Sequence, residues 1–314
     1  MHIKIYMRVV IVFLVLVLIF DITSTSSTMI INAKNSSSPN HLYSTNLLPQ
    51  WDLVEKEIGK SGEMKPGEVF YISLPRNDLK VTVKGIPIRT GLALGGWTAF
   101  KQMANQAMVM GDLVLTEKDI QPVMTELIHQ GIQVSALHNH LLGEKPRIMY
   151  LHIEGHGDPV QLAKAISSGL KLTSIQKNIT GKSVPFPIDK QKLDKTFRHK
   201  GTVKNGVYHV GVPRLEKIME NGMEIPPAMG VATSINFQPT GNGKVAITGD
   251  FVLAAEEVNP VVRSLSKHRI DVTAIHNHML TENPRLFFMH FWANDDPLKL
   301  ANALREALDK THSM

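Results

Sequence analysis

Apolar and polar positions change period along this chain, and the same order of changes occurs twice. From Gly67 to Pro75 the pattern "GEVFYISLP" alternates loosely, which predicts a strand. Val81–Ile88 predicts a second strand ending in a turn, and residues 89–105, with Gly91, Gly95 and Gly96, read as irregular. Met108–Leu115 returns to strand. Ile120, Val123, Met124, Leu127 and Ile128 then recur at helical spacing behind Thr116, a candidate N-cap. Pro122 sits early in that helix, where a missing N–H costs least, and Gly131 ends it. Gln133–Leu141 and Pro146–Glu154 predict a hairpin. A last helix opens with Asp158 as N-cap and Pro159 as its first residue, and buries Leu162, Ile166 and Leu170.

The second pass starts at "NGVYHVGVPR", which matches "GEVFYISLPR". "VAITGDFVLAAEEVNPVVRSL" matches "MVMGDLVLTEKDIQPVMTEL", "VTAIHNHML" matches "VSALHNHLL", and "DDPLKLANALREAL" matches "GDPVQLAKAISSGL". The offset is 138 residues at Pro75/Pro213, Gly111/Gly249, His138/His276 and Asp158/Asp296. A period this long means duplicated domains, since solenoid repeats run to about 20–50 residues. The predicted organisation is a repeat unit at 51–170, a linker at 171–188 and a second unit at 189–308. The predicted class is α+β: two tandem copies of a β-α-β-β-α, ferredoxin-like unit related by a pseudo-two-fold, sheet to sheet.

Composition narrows the chemistry. The 314 residues are 43% apolar, enough for a real core, and carry a net charge of +6. The excess lies between Lys171 and Lys204 and reads first as a solvated basic linker, with an anionic envelope surface as the alternative. Without a basic helix or an aromatic–basic strip, nucleic acid is not an expected partner. There is no cysteine, which excludes disulfides, thiolate metal sites and an acylated lipoprotein anchor. His2, Lys4 and Arg8 precede the apolar run Val9–Phe20, which is followed by "DITSTSST". That run fits a secretory signal and is short for a membrane span of about 20 residues. A signal and lead-in over 1–33, a flexible segment over 34–50 and a secreted or cell-envelope location are the expectations, with no stable span after cleavage.

The densest chemistry is "HNHLLGEKPRIMYLHIEGHGDP", His138–Pro159. Side chains two apart on a strand share a face. His138 and His140 therefore point one way; on the return strand so do His152, Glu154 and, if the strand reaches it, His156. The turn near 143–146 brings His138 opposite His152 or Glu154. Met149, Leu151 and Ile153 take the other face, toward the helices. Imidazole and carboxylate are the usual ligands of divalent transition metals; zinc or copper is favoured, with manganese or iron open. The metal candidates are His138, His140, His152, Glu154 and His156. The second copy keeps His276, His278 and His290 but has Trp292 and Asn294 for Glu154 and His156. The first repeat is thus the expected site and the second a degenerate or auxiliary one. The rival geometry has the sheets face each other, histidines of both copies lining one cavity. Strand histidines that merely hydrogen-bond across a sheet are the competing bland reading.

Weaker candidates recur with the repeat. Asp112 and Asp250, each in "GD", would orient a histidine ligand or simply end a strand. Glu144/Arg147 and Glu282/Arg285 suggest turn salt bridges. No Gly-x-Ser-x-Gly elbow, helical His-Glu-x-x-His or nucleotide-binding glycine loop is present.

Around "MVMGDLVLTEKDIQPVM" and "ALHNHLLGEKPRIMYLHIEGHGDP", and their second copies, the sequence resembles the LppY/LpqO family, over roughly 51–308. The resemblance implies a duplicated, exported bacterial domain with no established reaction and no assigned catalytic residues. The missing cysteine after the signal means that lipid anchoring does not carry over. The functional expectation is a secreted divalent-metal-binding protein of unknown biological role, with an unidentified small molecule or envelope component as its partner. The alternatives are a metal-dependent hydrolase or oxidoreductase, with Glu154 as the catalytic candidate, and a metal-free envelope-binding module.

Overall fold

The structure is a computed structural model and describes residues 50–175 and 184–314. The predicted export signal, the lead-in as far as 49 and residues 176–183 of the linker lie outside the described residues. Among the described residues no helix is long and apolar enough to cross a membrane.

The first repeat runs α1 (Trp51–Ile58), β1 (Gly62–Lys65), β2 (Val69–Pro75), β3 (Val81–Val83), β4 (Ile86–Ile88), α2 (Thr90–Ala93), β5 (Gly95–Met103) and β6 (Gln106–Thr116). It continues with α3 (Glu117–His129), β7 (Gln133–His138), β8 (Glu144–Lys145), β9 (Ile148–Gly157) and α4 (Pro159–Leu170). The second repeat has α5 (Lys190–Phe197), β10 (Thr202–Lys204), β11 (Val207–Pro213), β12 (Ile218–Glu220), β13 (Met223–Ile225) and a 3-10 turn at Pro227–Met229. Then come β14 (Ala232–Gly241), β15 (Lys244–Leu253), α6 (Ala255–Lys267), β16 (Asp271–His276), β17 (Phe287–Asp295) and α7 (Pro297–Leu308). Each repeat folds a six-stranded antiparallel sheet, ordered β1-β2-β5-β6-β9-β7 and β10-β11-β14-β15-β17-β16. The chain is therefore α+β with two tandem domains.

One face of each sheet packs on its own helices. In the first repeat Leu113, Leu151 and Ile153 meet Val123, Leu127, Leu162 and Ile166. In the second, Phe251, Met289 and Phe291 meet Val261, Leu265, Leu300 and Leu304. The predicted caps form: Asp158 Oδ1 accepts from Gln161 N–H at 2.9 Å and Asp296 Oδ1 from Lys299 N–H at 2.8 Å. Pro122 is the sixth residue of α3, past the four N–H groups that a helix start leaves free, so it does remove a ladder hydrogen bond. Residues 89–105, read as irregular, contain the inner strand β5. Its glycines hide the alternation, and a Cβ at Gly96 would lie 2.9 Å from the Asp112 carbonyl oxygen of β6. Val81–Ile88 is two short strands joined by a turn rather than one.

Arg76 and Arg214, each following a strand-ending proline, are buried latches. Arg214 Nη1 donates to the Val252 carbonyl (2.8 Å) and to Glu257 Oε2 (2.6 Å), and its other nitrogens reach Glu216. Arg76 repeats this with Val114 (2.8 Å), Asp119 (3.2 Å) and Asp78. Asp119 and Glu257 also accept from the backbone N–H of Thr116 and Ala254, tying the strand end to the first turn of the following helix.

The other face of each sheet is covered by the opposite repeat. Val69, Ala99, Met108 and Met110 pack against Ile218, Ile225, Met229 and Val231 of the β12–β13 excursion. Reciprocally, Val207, Ala246 and Trp292 pack against Val81, Val83, Leu92 and Leu94 of the β3–β4–α2 excursion. The histidine faces are thereby buried against each other.

Candidate metal centre

The placement of the histidines begins with a bulge. Along β7, Val134 pairs with Ile153 but Ala136 pairs with His152, leaving Ser135 out of the ladder. Along β16, Val272 pairs with Phe291 and Ala274 with His290, leaving Thr273 out. His138 is therefore opposite Tyr150, not His152 or Glu154, although it still shares their sheet face. The bulged residues join the two repeats. Ser135 Oγ donates to the His278 carbonyl and Thr273 Oγ1 to the His140 carbonyl. Asn277 Nδ2 donates to the Ser135 carbonyl (2.9 Å) and Asn139 Nδ2 to the Thr273 carbonyl (3.1 Å). The two "HNH" segments are thus clasped by the asparagines between their histidines.

That clasp stacks the rings of both copies. His138 and His276 have centroids 3.5 Å apart, His140 and His290 3.8 Å, and His152 and His278 3.9 Å. His140 lies on Tyr150 and His278 on Phe288, which form a wall behind each. Among the described residues, three groups each bring one ligand atom per residue within 4.8 Å of one another: His138/His152/His276, His138/His140/His290 and Asp250/His276/His278. The geometry is thus the shared one, with histidines of both copies in one centre.

Hydrogen bonds to backbone carbonyls set the tautomers. A carbonyl only accepts, so the ring nitrogen against it carries the proton. His138 Nδ1 faces the Asn139 carbonyl (3.0 Å), His276 Nδ1 that of Asn277 (3.1 Å), His290 Nδ1 that of Gly249 (2.7 Å) and His278 Nδ1 that of Gly230 (3.2 Å). Each neutral ring then presents an Nε2 lone pair. The Nε2 atoms of His138, His152, His276 and His290 are buried with no hydrogen-bond partner. His278 Nε2 instead faces Asp250 Oδ2 at 3.0 Å, two acceptors that need a proton or a cation between them. Gly249 must be glycine here: a Cβ would collide with the Ser234 carbonyl of β14.

Burial holds these rings neutral. Desolvation lowers His138 and His278 to about 3 and His290 to about 4, and drives His140, His152 and His276 down as well. Desolvation also raises the carboxyls. Asp250 goes to about 6, and Asp112, which faces Asp250 as well, lies well above its usual range. His140 Nε2 is 3.7 Å from Asp112 Oδ2. The aspartates, weighed from the sequence only as orienting groups, thus sit among the histidines. The signal was their position: Asp112 pairs directly with His152 across the sheet and Asp250 with His290.

Glu154 and His156 are not brought into these groups. β9 carries them away from the junction. Glu154 is buried toward Glu220 and Glu282, and burial together with those carboxylates raises it to about 7. His156 is exposed near the strand end, paired with Met108. Of the turn pairs, Arg285 meets Glu282 at 3.1 Å, whereas Arg147 reaches Glu117 instead.

A cavity of about 630 Å³ opens onto the centre. Asp112, His140, Asp250, His278 and His290 line it, together with Tyr71 and Trp97, whose rings stack at 5.8 Å. Ser73, Ser234, Asn236 and Lys204 add polar groups to its lining.

Fold and site together define an α+β protein of two repeats with a histidine–aspartate centre at their junction. The chain belongs to the family described as Domain of Unknown Function (DUF1259), whose model, DUF1529, matches residues 52–172 and 191–310. No curated protein matches it. Among solved structures, the crystal structure of a trimeric bacterial microcompartment shell protein, PduB, is similar at 11% identity, covering 80% of this chain and 90% of that one. Its TM-score is 0.21, and nothing about this chain is drawn from it.

Proposed function

We propose that this protein binds a divalent transition metal through histidines of both repeats, with zinc or copper favoured by the donor set and manganese or iron also accommodated. The observation that carries this reading is the set of four buried Nε2 atoms without hydrogen-bond partners, three of them on rings whose Nδ1–H is held by a backbone carbonyl. Buried polar atoms normally find a partner, and a histidine fixed through its other nitrogen is the usual arrangement of a metal ligand. A pseudo-two-fold pairing of ferredoxin-like units, and export to the cell envelope, complete the proposal.

The test is elemental mass spectrometry on protein purified without a polyhistidine tag. The wild type carries at least one equivalent of metal. The His138→Gln/His276→Gln variant carries none, while His156→Ala keeps the wild-type content. A wild type that holds no metal and takes up no added zinc, copper, manganese or iron would sink the reading.

The cavity supports a second reading, a metal-dependent enzyme. It gives a small molecule access to Asp112, His140, Asp250, His278 and His290, as a catalytic metal with an exchangeable position requires. Glu154, the catalytic candidate from sequence, does not line that cavity.

A further inference from the structure

We infer that the centre takes two transition-metal ions at once, in two reciprocal ligand sets, each completed by a histidine from the other repeat. This rests on the metal-binding reading above and specifies its stoichiometry.

Two of the three ligand groups, His138/His140/His290 and Asp250/His276/His278, have no residue in common. Six different side chains therefore form two triads that can be filled simultaneously. The repeat then supplies a fourth member to each. The counterpart of Asp250 is Asp112, whose Oδ2 lies 3.7 Å from His140 Nε2. The counterpart of His290 is His152, whose ring is 3.9 Å from His278, matching the 3.8 Å between His290 and His140. One set is Asp112, His138 and His140 with His290. The other is Asp250, His276 and His278 with His152. Each offers three nitrogens and one oxygen, a complete tetrahedral set for zinc or an open one for a metal of higher coordination.

Charge favours two ions over one. Asp112 is buried, Asp250 is half-buried, and the two carboxyls interact with each other. A dication in each set would let both carboxylates stay ionised, whereas a single ion leaves the other carboxyl to bind a proton or remain uncompensated. The third group, His138/His152/His276, takes residues from both sets, and the His138 and His276 rings are in contact, so the two positions are neighbours. Neither repeat contains a complete set. The second repeat is thus a full partner of the first.

The experiment uses the untagged full chain, stripped with a chelator, dialysed against zinc(II) or copper(II) and counted by elemental mass spectrometry. Two equivalents are expected in the wild type and in His156→Ala. Asp112→Asn and Asp250→Asn, which keep side-chain shape, should each weaken one equivalent at least about tenfold and leave the other. Loading with copper(II) should give the half-field electron paramagnetic resonance signal of a coupled pair, lost in either variant. Near-UV circular dichroism checks that the variants fold, and the wild-type count and spectrum stand without them. One equivalent with no coupled signal overturns the pair while leaving metal binding intact. No metal at all overturns both. Two undisturbed equivalents in Asp112→Asn and Asp250→Asn overturn the ligand assignment and with it the reciprocal sets.

Discussion

The two repeats agree inside the histidine centre and differ just beyond it. Asp112, His138, His140 and His152 have Asp250, His276, His278 and His290 as counterparts, and across the junction His138 meets His276, His140 meets His290 and His152 meets His278. Two residues further along the same strands the copies part. Glu154 is buried among carboxylates, and its counterpart Trp292 is buried in an apolar cluster with Val83 and Leu94. His156 is exposed and its counterpart is Asn294. The asymmetry that suggested one strong and one degenerate copy therefore lies at the edge of the centre. Its interior is matched, because each copy's strand ends pack against the same elements of the other.

The largest test of this likeness is the arginine latch. Arg214→Ala should cost about 3–5 kcal/mol, because it strands the buried Glu257 carboxylate. Arg76→Ala should cost less, since Arg76 touches Asp119 through one nitrogen at 3.2 Å whereas Arg214 reaches Glu257 at 2.6 and 3.1 Å. Urea unfolding of both variants measures the difference; equal losses would show that the latches are equivalent despite their geometry.

Next in size is the pH response of the metal-free protein. His138, His278 and His290 are lowered in the folded state to about 3, 3 and 4, chiefly by burial. Their contribution is full above the unfolded value of about 6.5 and is lost as pH falls toward the folded values. At pH 5 each should cost roughly 2 kcal/mol. Asp250, raised to about 6, acts in the opposite sense: its contribution is present below the unfolded carboxyl value and is lost as pH rises through about 6. Denaturation midpoints between pH 7 and 5 should fall steeply in the wild type and less in His138→Gln/His290→Gln. A flat profile in both would show that these rings titrate normally.

The smallest effect concerns the residue that breaks the symmetry. Glu154 is raised to about 7, so its contribution is present below its unfolded value and disappears as pH rises through 7. Glu154→Gln should therefore stabilise the protein by about 1–2 kcal/mol at pH 8, do little at pH 5, and leave metal content unchanged. Loss of metal in that variant would return Glu154 to the centre.

Much of this was readable along the chain. Local spacing suffices for the duplicated order of elements, the Asp-Pro helix starts, and a histidine face opposite a leucine and isoleucine face, since strand and helix periods assign side chains to faces without knowledge of the partner. β5 was missed because its glycines, required by close strand approach, break the alternation. The pairing of His138 was missed because a one-residue bulge leaves no mark in composition.

The sequence by itself determined that two copies of one α+β unit exist and that each turns histidines to one sheet face. Only the tertiary structure decided which histidines meet. That choice depends on the bulges at Ser135 and Thr273, on the asparagine clasp, and on the two excursions that cover the opposite sheet. These contacts join residues more than 130 positions apart in the chain, as from Asn139 to Thr273. Their geometry follows from how two completed sheets pack, which no spacing within either copy encodes.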